Sequence, residues 1–126
     1  MLDHIEIGVR DIATARAFYD RGLAPVGISL VRLFGSDRHG YALGYGSEGR
    51  PYFWVVQGPA FTGKLHVAFT AKDRATVDAF FREAIAAGGR DNGAPGLRPQ
   101  YHPHYYGAFV LDPDGHNVEA VCHAQE

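Results

Sequence analysis

The chain has one cysteine, one methionine and one tryptophan among its 126 residues. A lone cysteine, Cys122, excludes an internal disulfide and points to a reducing, cytoplasmic setting. No apolar run approaches the ~18–20 residues of a membrane-spanning helix. The opening Met1-Leu2-Asp3-His4 runs straight into a strand pattern and reads as carrying no secretory leader. There is no excess of either charge: 12 Lys and Arg against 14 Asp and Glu leave a net charge of −2. A chain without a basic field is a poor partner for nucleic acid. Low-complexity tracts and long linkers are missing, and the glycine-rich stretch 40–49 lacks the lysine of a phosphate-cradling loop. What remains is an ordinary globular composition, 46% hydrophobic and 21% charged, in a length that suits one domain with a real core. Glycine (16) and histidine (7) are plentiful, which suggests turns and polar site chemistry.

What the chain does contain is a repeat. When Leu65-His66-Val67-Ala68-Phe69-Thr70-Ala71 is laid over Asp3-His4-Ile5-Glu6-Ile7-Gly8-Val9, His66 meets His4 and Asp73 meets Asp11. Farther on, Thr76 meets Thr14, Ala79-Phe80-Phe81 meets Ala17-Phe18-Tyr19, and Gly89 meets Gly27. One supersecondary unit is used twice: residues 1–57, a connector at 58–63, and residues 64–126, together a single domain over 1–126.

Each unit opens with an alternating stretch. Ile5, Ile7 and Val9 point one way and His4, Glu6 and Gly8 the other; Leu65, Val67 and Phe69 oppose His66, Ala68 and Thr70. Asp11 then caps a helix over 12–21 that ends at Gly22, and Asp73 caps one carrying Val77, Phe80, Phe81, Ala84 and Ile85 that ends at Gly88-Gly89. Strands are predicted at 25–34, 41–45 and 51–57 in the first unit, and at 106–111 and 117–123 in the second. Residues 90–104, broken by Asn92-Gly93, Pro95-Gly96, Pro99 and Pro103, read as irregular. Asp112-Pro113-Asp114-Gly115 is a type I turn. One helix per unit argues against a doubly wound chain. The expectation is an α+β fold of two βαβββ units in pseudo-twofold arrangement, with helices on the convex side and the concave side forming an incomplete barrel, or cleft.

In both units the histidine lies on the face turned away from the helix. Glu119, alternating with Val118 and Ala120 on the last strand, joins that kind of face. Two imidazoles and one carboxylate with open positions suit Fe(II), Mn(II), Co(II), Ni(II) or Zn(II). His4, His66 and Glu119 are therefore the candidate ligands, with Glu6 at the rim. The Pro-rich loop supplies His102, His104 and Tyr105 as candidates for moving a proton near neutral pH. Arg98 can hold an anionic group, and Trp54 and Tyr105 can shape the pocket. His39, His116 and His123 read as turn or edge residues, and Cys122 as an inert core thiol.

These motifs resemble the vicinal oxygen chelate superfamily, which includes glyoxalase I, extradiol dioxygenases and the bleomycin-resistance proteins. The resemblance rests on Leu2-Asp3-His4-Ile5, Phe18-Tyr19, Leu65-His66-Val67-Ala68-Phe69 and the closing Asp112-Pro113-Asp114-Gly115-His116-Asn117-Val118-Glu119. It covers nearly the whole chain. It implies one divalent metal held by His4, His66 and Glu119, a small substrate that chelates through adjacent oxygens, and, in many members, pairing of units across a homodimer. Glyoxalase I carries a fourth ligand on the last strand of its first unit. Here Trp54 stands at that place, which argues against glyoxalase I activity and leaves a three-ligand pattern nearer the extradiol enzymes. Lyase or isomerase chemistry, ring-opening dioxygenation and opening of a small ring all stay open. The alternative is metal-free binding or sequestration of a small molecule, in the manner of bleomycin resistance. Neither reading involves nucleic acid or a membrane.

Overall fold

A computed structural model describes all residues, 1–126. The elements follow the repeat. The first unit is β1 (Ile5–Val9), α1 (Ile12–Leu23), β2 (Ser29–Ser36), β3 (Gly40–Ser47) and β4 (Arg50–Gln57). The second is β5 (His66–Thr70), α2 (Arg74–Ala86), β6 (Arg90–Leu97), β7 (Tyr106–Leu111) and β8 (Asn117–Cys122). Each unit makes its own mixed sheet, in the orders β1-β4-β3-β2 and β5-β8-β7-β6. The chain has the expected α+β architecture of two βαβββ units. No helix is long and apolar enough to cross a membrane.

Both helices start where an aspartate accepts the N–H three residues on: Asp11 from Thr14 at 3.0 Å and Asp73 from Thr76 at 2.8 Å. Ala15, Phe18, Tyr19, Gly22 and Leu23 form the buried stripe of α1. Gly22 does not stop the helix as the sequence suggests. It lies within the stripe, where a Cβ would come 3.3 Å from that of Ala84, so its small size lets α1 sit close on α2. The chain turns only after a short 3₁₀ segment, Ala24–Val26.

The second correction is β6. Its Asn-Gly and Pro-Gly pairs look like breakers, yet residues 90–97 form the edge strand beside β7, with register shifts around Gly93. An edge strand tolerates proline and bulges because one side of its ladder needs no partner.

The inner faces of both sheets and both helices share one apolar cluster. An aromatic chain crosses it. Tyr19 meets Phe53 at 5.3 Å between ring centres, and Phe53 of the first unit meets Phe69 of the second at 5.2 Å. Beside it lies a buried polar clamp. The Asp112 carboxylate accepts the N–H of Asp114 (2.9 Å) and His116 (2.8 Å), the Tyr19 hydroxyl (2.6 Å), and a hydrogen bond from His116 Nδ1 (2.8 Å). His116 is thus a core residue at 3% exposure, against the expectation of a turn-edge histidine. Burial first and Asp112 second push the Tyr19 phenol well above its ordinary pKa, so it stays a donor. Arg10 adds an outer contact to Asp114 at 2.8 Å. The closing turn of the second unit is therefore bolted to the helix of the first.

Removing the Tyr19 hydroxyl leaves a buried carboxylate short of one donor. Tyr19→Phe should lower unfolding stability by about 1–3 kcal/mol, as such orphaned groups do. Urea denaturation of the two proteins checks this; equal midpoints would remove the clamp from the account.

Candidate functional site

Strand pairing decides which side chains share a face. In β5 and β8, Ala68 stands opposite Glu119 and His66 opposite Asn117; in β7 and β8, Phe109 stands opposite Glu119. Residues paired across a ladder point the same way. The outward face of the second sheet therefore collects His66 and Glu119, as the alternation of the sequence predicts, and with them Phe109.

Glu119 has no exposed surface. Its Oε2 meets His66 Nε2 at 2.8 Å, and its Oε1 accepts a hydrogen bond from the Tyr105 hydroxyl. No lysine or arginine lies within ion-pair reach of it. Burial first, and Glu119 second, raise the Tyr105 phenol above its ordinary pKa, so it too remains a donor. The His66 side chain is 42% exposed and packs against the Phe109 ring. Arg98 lies over the same Phe109 ring: its guanidinium sits 5.4 Å from the ring centre and donates to the Ala94 carbonyl at 2.8 Å. His66, Glu119, Tyr105 and Arg98 thus belong to one neighbourhood.

His102 and His104 are placed differently. His102 Nδ1 accepts the His104 N–H at 3.1 Å, and its Nε2 lies 2.5 Å from His123 Nδ1. Both ring nitrogens are engaged. The two imidazoles flank the Tyr105 ring edge-on rather than facing Glu119. The His104 ring makes no hydrogen bond within the chain, and only its backbone N–H is engaged.

His4 is not among them. It lies just before β1 in the other sheet, with Nδ1 bonded to Asp3 Oδ1 at 2.6 Å and its side chain 58% exposed. It lines a shallow hollow of about 510 Å³ with Glu6, Phe34, Ala42, Pro51 and Trp54. The expectation that one chain folds His4, His66 and Glu119 into a single cleft is corrected here: no three ligating side chains converge. The cause is the shared core. The two sheets join through their inner faces, so the His4 face and the His66 face are separate outer surfaces, and β1 and β5 are edge strands with one side free. A deeper cleft of about 440 Å³ does run along that seam, past Ile5, Tyr52, Val67 and Phe69, but neither histidine lines it.

Trp54 stands opposite Glu6, as Glu119 stands opposite Ala68, so the two are register equivalents. The indole lies on bare Gly44, where a Cβ would come within 2.7 Å of the ring, and it stacks on exposed Phe34 at 5.7 Å and 15°. Gln57, also on β4, is engaged elsewhere: its Oε1 accepts the Tyr41 N–H at 3.2 Å. Sequence reasoning missed Phe34 and Phe109. Their alternation with neighbours is visible, but nothing local distinguishes an exposed aromatic from a core one.

The donor set suits a divalent cation. A carboxylate with no exposed surface, 2.8 Å from an imidazole nitrogen and without lysine or arginine beside it, is a costly arrangement unless a cation or a proton neutralises it.

Comparison with known proteins places the chain. No curated protein matches it. Among solved structures, a glyoxalase/bleomycin resistance protein from Albidiferax ferrireducens T118 is 28% identical, with TM-score 0.80 over 98% of this chain and 99% of that one. A glyoxalase from Bacillus halodurans, described as putative, is 29% identical, with TM-score 0.66 over 97% and 95%. A fosfomycin resistance protein from Listeria monocytogenes, complexed with Mn(II) and sulfate, shares the fold at 17% identity, TM-score 0.71, over 98% and 93%. The sequence model of the Glyoxalase/Bleomycin resistance protein/Dioxygenase superfamily matches residues 1–120. With its paired βαβββ units and that match over nearly its full length, the chain belongs to the Glyoxalase/Bleomycin resistance protein/Dioxygenase superfamily.

Proposed function

We propose that this chain is a single-domain, divalent-metal-dependent enzyme of the reducing cytoplasm, acting on a small organic molecule with adjacent oxygens. The observation that carries the reading is the buried Glu119 carboxylate, paired with His66 Nε2 at 2.8 Å and open to no other cation of the chain. His66 and Glu119 supply two ligands. His4 of a second copy supplies the third, in a homodimer that lays the outer face of one first unit on the outer face of the other chain's second unit. Three features support that pairing. His4 is held at Nδ1 by Asp3, which leaves Nε2 free and oriented as a ligating imidazole would be. β1 and β5 are edge strands, each paired on one side only. Leu2, Phe34 and Phe61 are exposed apolar side chains on the first unit and its connector.

A bound divalent cation supplies polarisation of a substrate oxygen or a lowered pKa for water; Fe, Mn, Co, Ni and Zn all suit two imidazoles and a carboxylate. The manganese carried by the Listeria relative of the same fold is consistent with that choice. The residues of the chain do the rest. Arg98 holds an anionic substituent of the substrate with the N–H groups not given to Ala94. Trp54, stacked on Phe34, offers an apolar wall. Of the histidines proposed for proton transfer, His104 keeps an uncommitted ring, whereas both nitrogens of His102 are taken. Lyase, isomerase and dioxygenase chemistry are all compatible with this set. Glyoxalase I activity is not expected, because Trp54 occupies the register position of a fourth ligand.

A second reading, metal-free sequestration of a flat molecule, draws on the exposed Phe34–Trp54 stack. Protein purified without chelators separates the two. Wild type should carry about one divalent ion per chain, and His66→Ala should lose it, since a site short of one ligand binds far more weakly. Equal, negligible metal in both overturns the enzyme reading. Mixing His4→Ala with His66→Ala protein under conditions that exchange subunits should restore metal binding, because half the mixed dimers' sites are then intact. No restoration overturns the shared site.

A further inference from the structure

We infer that Tyr105 is a positioning residue: its hydroxyl holds one oxygen of Glu119, so that the carboxylate meets a cation through the other oxygen alone. The inference rests on the metal reading above and deepens it. Glu119 has two oxygens and two partners. Oε1 is taken by the Tyr105 hydroxyl, and Oε2 is the oxygen turned to His66 Nε2 at 2.8 Å. The oxygen nearer the other candidate ligand is the one left for coordination.

The arrangement is built rather than incidental. Gly107 follows Tyr105 by two residues at the start of β7. A Cβ there would lie 3.0 Å from Glu119 Oε1 and 3.2 Å from the Tyr105 ring, so glycine gives phenol and carboxylate room to meet where a side chain would crowd both. The ring itself is fenced edge-on by Tyr101 (4.9 Å), His102 (5.4 Å) and His123 (5.2 Å). Its backbone is tied down as well: the Arg98 N–H donates to the Tyr105 carbonyl at 2.7 Å, and the Tyr105 N–H to the His102 carbonyl at 3.2 Å. The hydroxyl therefore reaches Glu119 from a phenol with little freedom to turn away.

The chemical consequence concerns the substrate. A carboxylate free to use both oxygens occupies two coordination positions. A substrate that chelates through adjacent oxygens needs two positions for itself. By keeping Glu119 to one oxygen, Tyr105 keeps the second position open to the substrate.

Cobalt(II) substitution tests this without turnover, because cobalt's visible absorption weakens as its coordination number rises. The variant is Tyr105→Phe, which keeps the packed ring and drops only the hydroxyl; thermal melting confirms that it folds. The probe is acetohydroxamate, a two-oxygen chelator. The expected result is a weaker cobalt band in Tyr105→Phe and an affinity for acetohydroxamate about tenfold lower, the lower end of what loss of an outer-shell partner does. Wild-type protein that binds cobalt, with a variant of identical spectrum and identical acetohydroxamate affinity, overturns the role of Tyr105 and leaves the metal reading standing. Wild-type protein that takes up no cobalt overturns both.

Discussion

The Tyr19–Asp112 hydrogen bond, at 2.6 Å and wholly inside the core, ties the two units together. Asp112 cannot leave that place cheaply, since four donors converge on its carboxylate and a buried charge without them is strongly disfavoured. The bond ties the β7–β8 turn of the second unit to the helix of the first. Phe53 against Phe69 and Arg21 against Glu83 (2.5 Å) extend the same interface in apolar and charged form. With the inner faces committed to each other, the outer faces must look elsewhere. The division of the candidate ligands between two surfaces follows from that packing.

The two units have diverged at one informative place. Glu119 and Trp54 hold equivalent register positions on their last strands, yet one is a fully buried carboxylate and the other an indole lying on Gly44. A carboxylate needs donors around it, and the second unit provides Tyr105 and His66. An indole needs a flat neighbour and an absent Cβ beneath it, and the first unit provides Phe34 and Gly44. The outer face of one half is thus polar, carrying a carboxylate and an imidazole, and that of the other is aromatic. A fold alone does not set a function, so any functional reading of this chain has to be argued from these residues and not from the architecture.

The loop 98–105 is where the reading of individual residues changes most between the linear chain and the folded one. In the sequence Arg98 stands as a candidate for holding an anion, and His102, His104 and Tyr105 as equal candidates for moving a proton. In the structure only Tyr105 reaches Glu119, Arg98 lies along the aromatic floor, and His102 pairs with His123. Loop side chains have no periodicity to orient them. Their directions come from contacts with strands far along the chain, such as Gly107 and Phe109 beneath them.

The amino-acid sequence by itself determined the repeat, the two helices with their aspartate caps, and the faces on which His4, His66 and Glu119 lie. These are local: a capping side chain reaches its third neighbour, and a strand alternates every residue whatever surrounds it. It left β6 hidden behind turn-like pairs, and His116 disguised as an edge residue, because edge tolerance and burial depend on neighbours distant in sequence. Only the tertiary structure decided that His66 and Glu119 meet while His4 stands apart. Alternation sets which way a side chain points from its own strand. Which outer faces lie together depends on the packing of Tyr19, Asp112, Phe53 and Phe69 between the units, and no period in the sequence encodes that.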